Sequence, residues 1–377
     1  MSTSSWKTTI GVLLVAAAIV AFAGRVGRAM PDFEVYRVAG ARAVAGEELY
    51  RAEDGHWLFK YLPAYAFAMA PLAMLPDPIA RVLWFSASAA LLVFLVAQAW
   101  QLLPCPRSRA TFVVSLTVIA LGKFYARELL LGQSNVWLAL LVLLAVGQWR
   151  AERRGVVGAL LAAATLVKPY AVLFAPYLAA RRQWRTLAVF SSCSVLILLL
   201  PAARYGWAGN LGLLAGWWET VTTSTAPNLI GQDNISIAGM YAKALGPGGM
   251  AAWLAAATSA LVVVSVAGVL WRRPSLVLPE YLDAAVLLLL IPLLSPQGWD
   301  YVLLVATPGV MLLLDRLGES KRLGQVLTLA CLAVLGLTLY DVMGRVLYRT
   351  FMMSPVPTLA ALALMAQLLR LRLRRLA

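Results

Sequence analysis

Six stretches of this chain carry no charged side chain for long enough to cross a lipid bilayer. They are residues 82–106, 129–149, 186–203, 244–271, 323–340 and 350–369. Each reaches the roughly 17–25 residues that a helix needs to span a ~30 Å hydrocarbon core. Five shorter runs, 110–122, 155–167, 169–180, 284–299 and 301–314, suit half-spans or core helices. Backbone groups in lipid must be satisfied within the segment, so runs of this kind read as helices. Charged residues make up 13% of the chain, about half the share in a soluble domain. These features predict an all-α polytopic membrane protein, a single membrane-embedded domain over residues 1–377.

Five basic tracts separate the apolar runs: 150–154, 181–185, 271–273, 315–322 and 370–375. Short loops rich in Lys and Arg stay in the cytoplasm. All five therefore belong on one side, and the chain must leave and return between consecutive tracts. Only 26 residues separate 154 from 181. Two short helices broken at Lys168-Pro169 meet that demand, because proline disfavours helix at the residue before it. The same parity makes 295–300 an outer turn. About 10–12 spans or half-spans result, with both termini inside and outer loops at 25–78 and 204–248. The first apolar run, 8–24, is read as a retained span rather than a cleaved signal peptide, because Arg25 and Arg28 follow it closely.

The same charge reading excludes nucleic acid as a partner. The excess of 32 Lys+Arg over 17 Asp+Glu lies in the topology-setting tracts. Cys105, Cys193 and Cys331 form no close pair, and His56 is the sole histidine, so neither a disulfide, a metal site nor a cofactor is expected. His56 reads as an interfacial residue. The acids are distributed unlike the cations. Twelve of the 17 fall outside or at the outer edge, among them Asp32, Glu34, Asp233 and Asp300. Acids do not set topology. Either the long outer loops need polar residues, or a functional surface lies outside.

Residues 33–45 read as a short interfacial helix. Asp32 either caps that helix or serves as a general base held close to the membrane. An apolar segment near 64–75, bounded by Pro63 and Pro76, would lie along the interface, with Lys60 and Tyr61 facing the outer mouth of the bundle. Polar tracts recur at the outer ends: "GKFYARELLLGQSN" with Arg127, Gln133 and Asn135, "VKPY" with Lys168, "GQDNISIAG" with Asn234, and "SPQGWDY" with Trp299 and Asp300. A lysine between two apolar half-helices is costly unless it meets a polar cavity or an anion. Lys168 either binds such an anion or snorkels to the outer interface.

The order of these elements resembles family 87 of the glycosyltransferases, within the GT-C superfold. The elements are "DFEVYRVAGARAVAGEELY", "FKYLPAYAFAMAPLAMLP", "LLLGQSNVWLALLVLLA", "LVKPYAVLFAPYLAARRQW", "NISIAG" and "LLSPQGWDY", spread over residues 30–305. The resemblance implies a GT-C-like bundle in the plasma membrane, with short interfacial helices in its extracytoplasmic loops. It also implies transfer of a hexose, mannose in this family, from a polyprenyl-phosphate sugar to a glycolipid or glycan acceptor. Asp32 takes the place of the catalytic base, with Glu34 as the alternative. Glu34, Tyr36, Lys60, Tyr61, Arg127, Gln133, Asn135, Lys168, Asn234, Trp299 and Asp300 are the expected substrate-binding residues. One departure stands out. Family members often carry His after the Trp of the "SP" motif, whereas Asp300 and Tyr301 follow Trp299 here. Lys168, Lys60 or Arg127 would then meet the donor phosphate. The competing readings are a GT-C enzyme using lipid-linked arabinose or glucose, a lipid or sugar transporter, and a non-catalytic scaffold.

Overall fold

A computed structural model describes residues 30–272 and 278–373. The expected first span at 8–24 lies outside the described residues, as do parts of two basic tracts. Described residues are mainly helical and form no strand beyond one isolated bridge between Asn234 and Trp299. In chain order the helices are α1 (Pro31–Ala45), α2 (Pro63–Ala73), α3 (Asp77–Gln101), α4 (Ala110–Leu131), α5 (Asn135–Arg150), α6 (Arg154–Val167), α7 (Phe174–Ala180), α8 (Trp184–Leu199), α9 (Ala202–Leu229), α10 (Ile237–Leu245), α11 (Gly249–Trp271), α12 (Pro279–Leu294), α13 (Thr307–Asp315), α14 (Arg322–Gly336), α15 (Tyr340–Met353) and α16 (Val356–Leu373).

The protein is an all-α polytopic membrane protein. Among the described residues α3, α11 and α16 are long and apolar enough to cross a bilayer singly. Three bent pairs raise the number to as many as six: α4 with α5 at 118°, α8 with α9 at 91°, and α14 with α15 at 96°. Other segments counted among the expected 10–12 are shorter helices. One of them, α12, is buried at every position from Tyr281 to Leu293. It forms the centre of the bundle, with α16 and α13 against it.

Two boundaries differ from the charge-free runs for a physical reason. The run 110–122 stops at Lys123, but α4 continues through Lys123, Arg127 and Glu128 to Leu131. Those three side chains face protein rather than lipid. Lys123 and Arg127 meet carboxylates, and Glu128 is fully buried and hydrogen bonded. The stretch 204–248, expected as a loop, is largely helical. It holds α9, kinked at Gly206, and α10. The break at Lys168-Pro169 is present. Lys168 is extended between α6 and a 3₁₀ turn over Pro169–Leu173, which leads into α7.

Candidate active site

Helix α1 begins one residue before Asp32, with Met30 preceding it in the left-handed region. Asp32 therefore sits in the first turn and makes no capping hydrogen bond, so the capping role does not hold. Another contact fixes the start of α1. Gly132 ends α4 at φ 69°, a conformation that favours glycine. A Cβ at Gly132 would lie 2.7 Å from Cβ of Phe33. The amide of Met30 donates to the Leu130 carbonyl at 3.0 Å, and the Trp84 indole donates to the Gly132 carbonyl at 2.9 Å. The first turn of α1 is thus seated on the turn that carries Gln133.

A cavity of about 280 Å³ opens beside that seat. Asp32, Tyr36, Lys60, Tyr61, Arg127, Gln133, Lys168 and Trp299 all line it. Eight of the twelve sequence-derived candidates thus share one concave site, drawn from six separate segments. Gln133 is its hub. Its Oε1 accepts hydrogen bonds from Lys168 Nζ at 3.2 Å and from the hydroxyls of Tyr36 and Tyr61 at 3.3 Å each. Its Nε2 donates to the Tyr301 hydroxyl at 3.2 Å. Lys60 is anchored separately. Its Nζ donates to Gln297 Oε1 at 3.0 Å, and its carbonyl accepts from the Trp217 indole at 3.2 Å.

Burial raises the Asp32 carboxyl above the usual carboxylate range. The Gln133 side chain, Lys168, Lys60 and His56 pull the other way without offsetting it. Burial likewise lowers the Lys60 ammonium, and Asp32 opposes that shift. An ammonium has three donors. Each lysine donates one of them to a neutral amide, Lys60 to Gln297 and Lys168 to Gln133. Among the described residues no three His, Cys, Asp or Glu side chains gather where they would hold a metal ion.

Arg127 occupies the same cavity in a different state. Its guanidinium donates to Asp233 at 2.7 Å and to Asp300 at 2.6 Å, with the Tyr301 ring 5.4 Å from it. Asp300 is buried, with Lys123 at 3.9 Å on its other oxygen. Asp300 does not line the cavity; it faces a small void behind it. The loops that carry these acids are pinned together. Ile235 N–H donates to the Gly298 carbonyl and Asp300 N–H to the Asp233 carbonyl, both at 2.8 Å. A Cβ at Gly298 would overlap the Pro292 carbonyl near the end of α12, so the turn that leaves α12 requires glycine there.

Three further candidates lie off the cavity. Glu34 pairs with Arg37 and Arg81 at 2.7 Å each and lines a neighbouring pocket. Asn135 is buried and donates to Glu128 at 2.8 Å. Asn234 ties the 228–236 loop, donating to the Pro296 carbonyl at 2.8 Å and accepting from Ser236 N–H at 3.0 Å. Residues not singled out from the sequence complete the cavity: Tyr170 and Ser295, hydrogen bonded at 2.9 Å, and Gln297. His56, read as interfacial, also lines it. No local pattern marks Gln297, because its partner Lys60 lies 237 residues away.

The fold and this site define a membrane-embedded enzyme class in which a buried carboxylate and basic side chains share one cavity. The family profile of glycosyltransferase family 87 matches residues 59–296, more than half of the chain. The chain belongs to glycosyltransferase family 87 and is a membrane glycosyltransferase. Asp32 lies upstream of the matched stretch and packs against it through the Gly132–Gln133 seat. No curated protein matches the chain.

Proposed function

We propose that this enzyme transfers a hexose, mannose in our reading, from a polyprenyl-phosphate sugar to a glycolipid or glycan acceptor on the extracytoplasmic face of the plasma membrane. The observation that carries the reading is the meeting of Asp32, Lys60 and Lys168 around one cavity. The acceptor hydroxyl oxygen attacks the anomeric carbon in a single inverting displacement. Its proton passes to the Asp32 carboxylate. The bond from the anomeric carbon to the phosphate oxygen breaks, and the polyprenyl phosphate leaves. Lys168 and Lys60 donate to the phosphate as its charge grows, in surroundings where charge–charge attraction is stronger than in water. Tyr36, Tyr61 and Tyr301 hold the Gln133 amide, which in turn aims Lys168.

The test is transfer by the purified protein in lipid nanodiscs, with polyprenyl-phosphate mannose and with nucleotide sugars as separate donors. Glycolipids extracted from a deletion strain serve as acceptor. Transfer from the lipid donor with inversion is expected. Transfer from a nucleotide sugar alone would remove the reading. The proposed side is tested by a cysteine placed at Gln183, which impermeant reagent should not reach from outside intact cells.

A further inference from the structure

Helix α15 turns 96° from α14 and so lies across that candidate span rather than along it. Its two faces differ sharply. Tyr348 and Met352 are buried, and the Tyr348 ring lies 5.7 Å from Lys123 Nζ, the lysine beside Asp300. On the outer side Val342, Val346 and Leu347 are exposed, Val346 to 81%. Such a helix suits the membrane surface, with its apolar residues in the acyl boundary. Arg345 and Arg349, one turn apart on α15, are both exposed. Among the described residues neither guanidinium has a carboxylate partner.

Those two arginines line a pocket of about 360 Å³ with Ile230, Gln232, Tyr340 and Met353. The opposite wall is the loop after α9, through Ile230 and Gln232, and the last turn of α9 just before it bounds the catalytic cavity through Asn228. Lys243 fastens this loop to α15, donating to the carbonyls of Gln232 and Asn234 at 2.7 Å and of Met352 at 2.9 Å. The basic pocket and the catalytic cavity thus adjoin at the C-terminal end of α9 and the loop that follows it. An arginine pair is well suited to phosphate oxygens, and the apolar residues beside it suit an isoprenoid chain.

We infer that Arg345 and Arg349 form a second phosphate-binding site, at the membrane surface, for the phosphate of a polyprenyl-phosphate lipid moving to or from the catalytic cavity. This rests on the lipid-donor reading above. The arginines hold the headgroup at the lip of the 228–234 loop while the isoprenoid tail stays in lipid.

The experiment measures equilibrium binding of tritiated undecaprenyl phosphate to the full chain in phosphatidylcholine nanodiscs. At roughly fivefold per surface arginine, R345Q/R349Q should weaken binding about 25-fold, with an unchanged melting temperature. R345K/R349K should retain most of the affinity. In a Lys168→Ala background the remaining binding should still fall on the Arg-to-Gln change, which isolates the surface site. Equal binding by wild type and R345Q/R349Q overturns the inference and leaves the lipid-donor reading standing. Displacement by phosphatidylglycerol at equal mole fraction also overturns it, in favour of a general anionic-lipid surface. Absence of binding to the wild type overturns both.

Discussion

Two walls of the candidate cavity hold their cations differently. On one wall Lys60 and Lys168 donate to the neutral amides of Gln297 and Gln133. On the other Arg127 sits between the carboxylates of Asp233 and Asp300. An amide orients a cation without cancelling its charge, whereas two carboxylates satisfy it. The lysine wall hydrogen bonds to neutral amides with the Asp32 carboxyl close enough to oppose the lowering of Lys60, whereas the arginine wall is bonded directly to two carboxylates. The latter instead binds the 228–236 and 295–301 loops to α4. The absence of His after Trp299 fits this division. Asp300 stands there as a partner for Arg127, which leaves Lys60 and Lys168 as the proposed phosphate contacts.

The comparison breaks first at Asp32. Asp32→Asn keeps the shape and removes the proposed base, so kcat should fall by about 10²–10⁴-fold with normal expression. Glu34→Gln, which disturbs only the Arg37 and Arg81 pairs, should be far milder. If the Glu34 variant is dead and the Asp32 variant active, the base is Glu34.

Arg127→Gln should act on the fold. Removing it leaves Asp300 buried without its guanidinium. Loss of one partner of a buried pair costs about 3–5 kcal/mol, and the low end applies here because Arg127 keeps 27% of its side chain exposed. Thermal unfolding in detergent should show this, while the folded fraction keeps a donor KM close to wild type. A raised KM with an unchanged melting temperature would move Arg127 to the phosphate.

Lys168→Ala should reduce kcat/KM for the donor by roughly ten- to a hundredfold, the value of a hydrogen bond to a charged group. Lys168→Arg should retain part of it. Unchanged kinetics would erase the distinction between the two walls.

The smallest effect is in the pH profile. Asp32 must be ionised to accept a proton, and its carboxyl is raised by burial. Activity should therefore rise with pH through a value above the ordinary carboxylate range and be lost below it. Lys60 lowers that value, so Lys60→Gln should move the acid limb to higher pH. A shift to lower pH would show that Asp32 does not control the limb.

Much of the architecture was legible along the chain. A bilayer demands length and freedom from charge, and both can be counted in one dimension. The all-α polytopic class and the break at Lys168-Pro169 followed from that count. The polar tracts also proved to converge, since Asp32, Lys60, Gln133, Lys168 and Trp299 line one cavity. The count failed where a charge faces protein instead of lipid. Lys123, Arg127 and Glu128 ended a run on paper, yet α4 continues through them because each has a buried partner.

The sequence by itself determined the class of protein, most of its apolar helices and which polar tracts bear on the site. Only the tertiary structure decided the state of each residue there. Gln133 became a hub through a tyrosine 97 residues away, Asp32 lost its capping role to the Gly132 seat, and Arg127 was neutralised by acids 106 and 173 residues away. Composition sets the cost of placing a charge near lipid. Which neutral amide or carboxylate meets that charge depends on how distant helices pack, and nothing local in the chain records it.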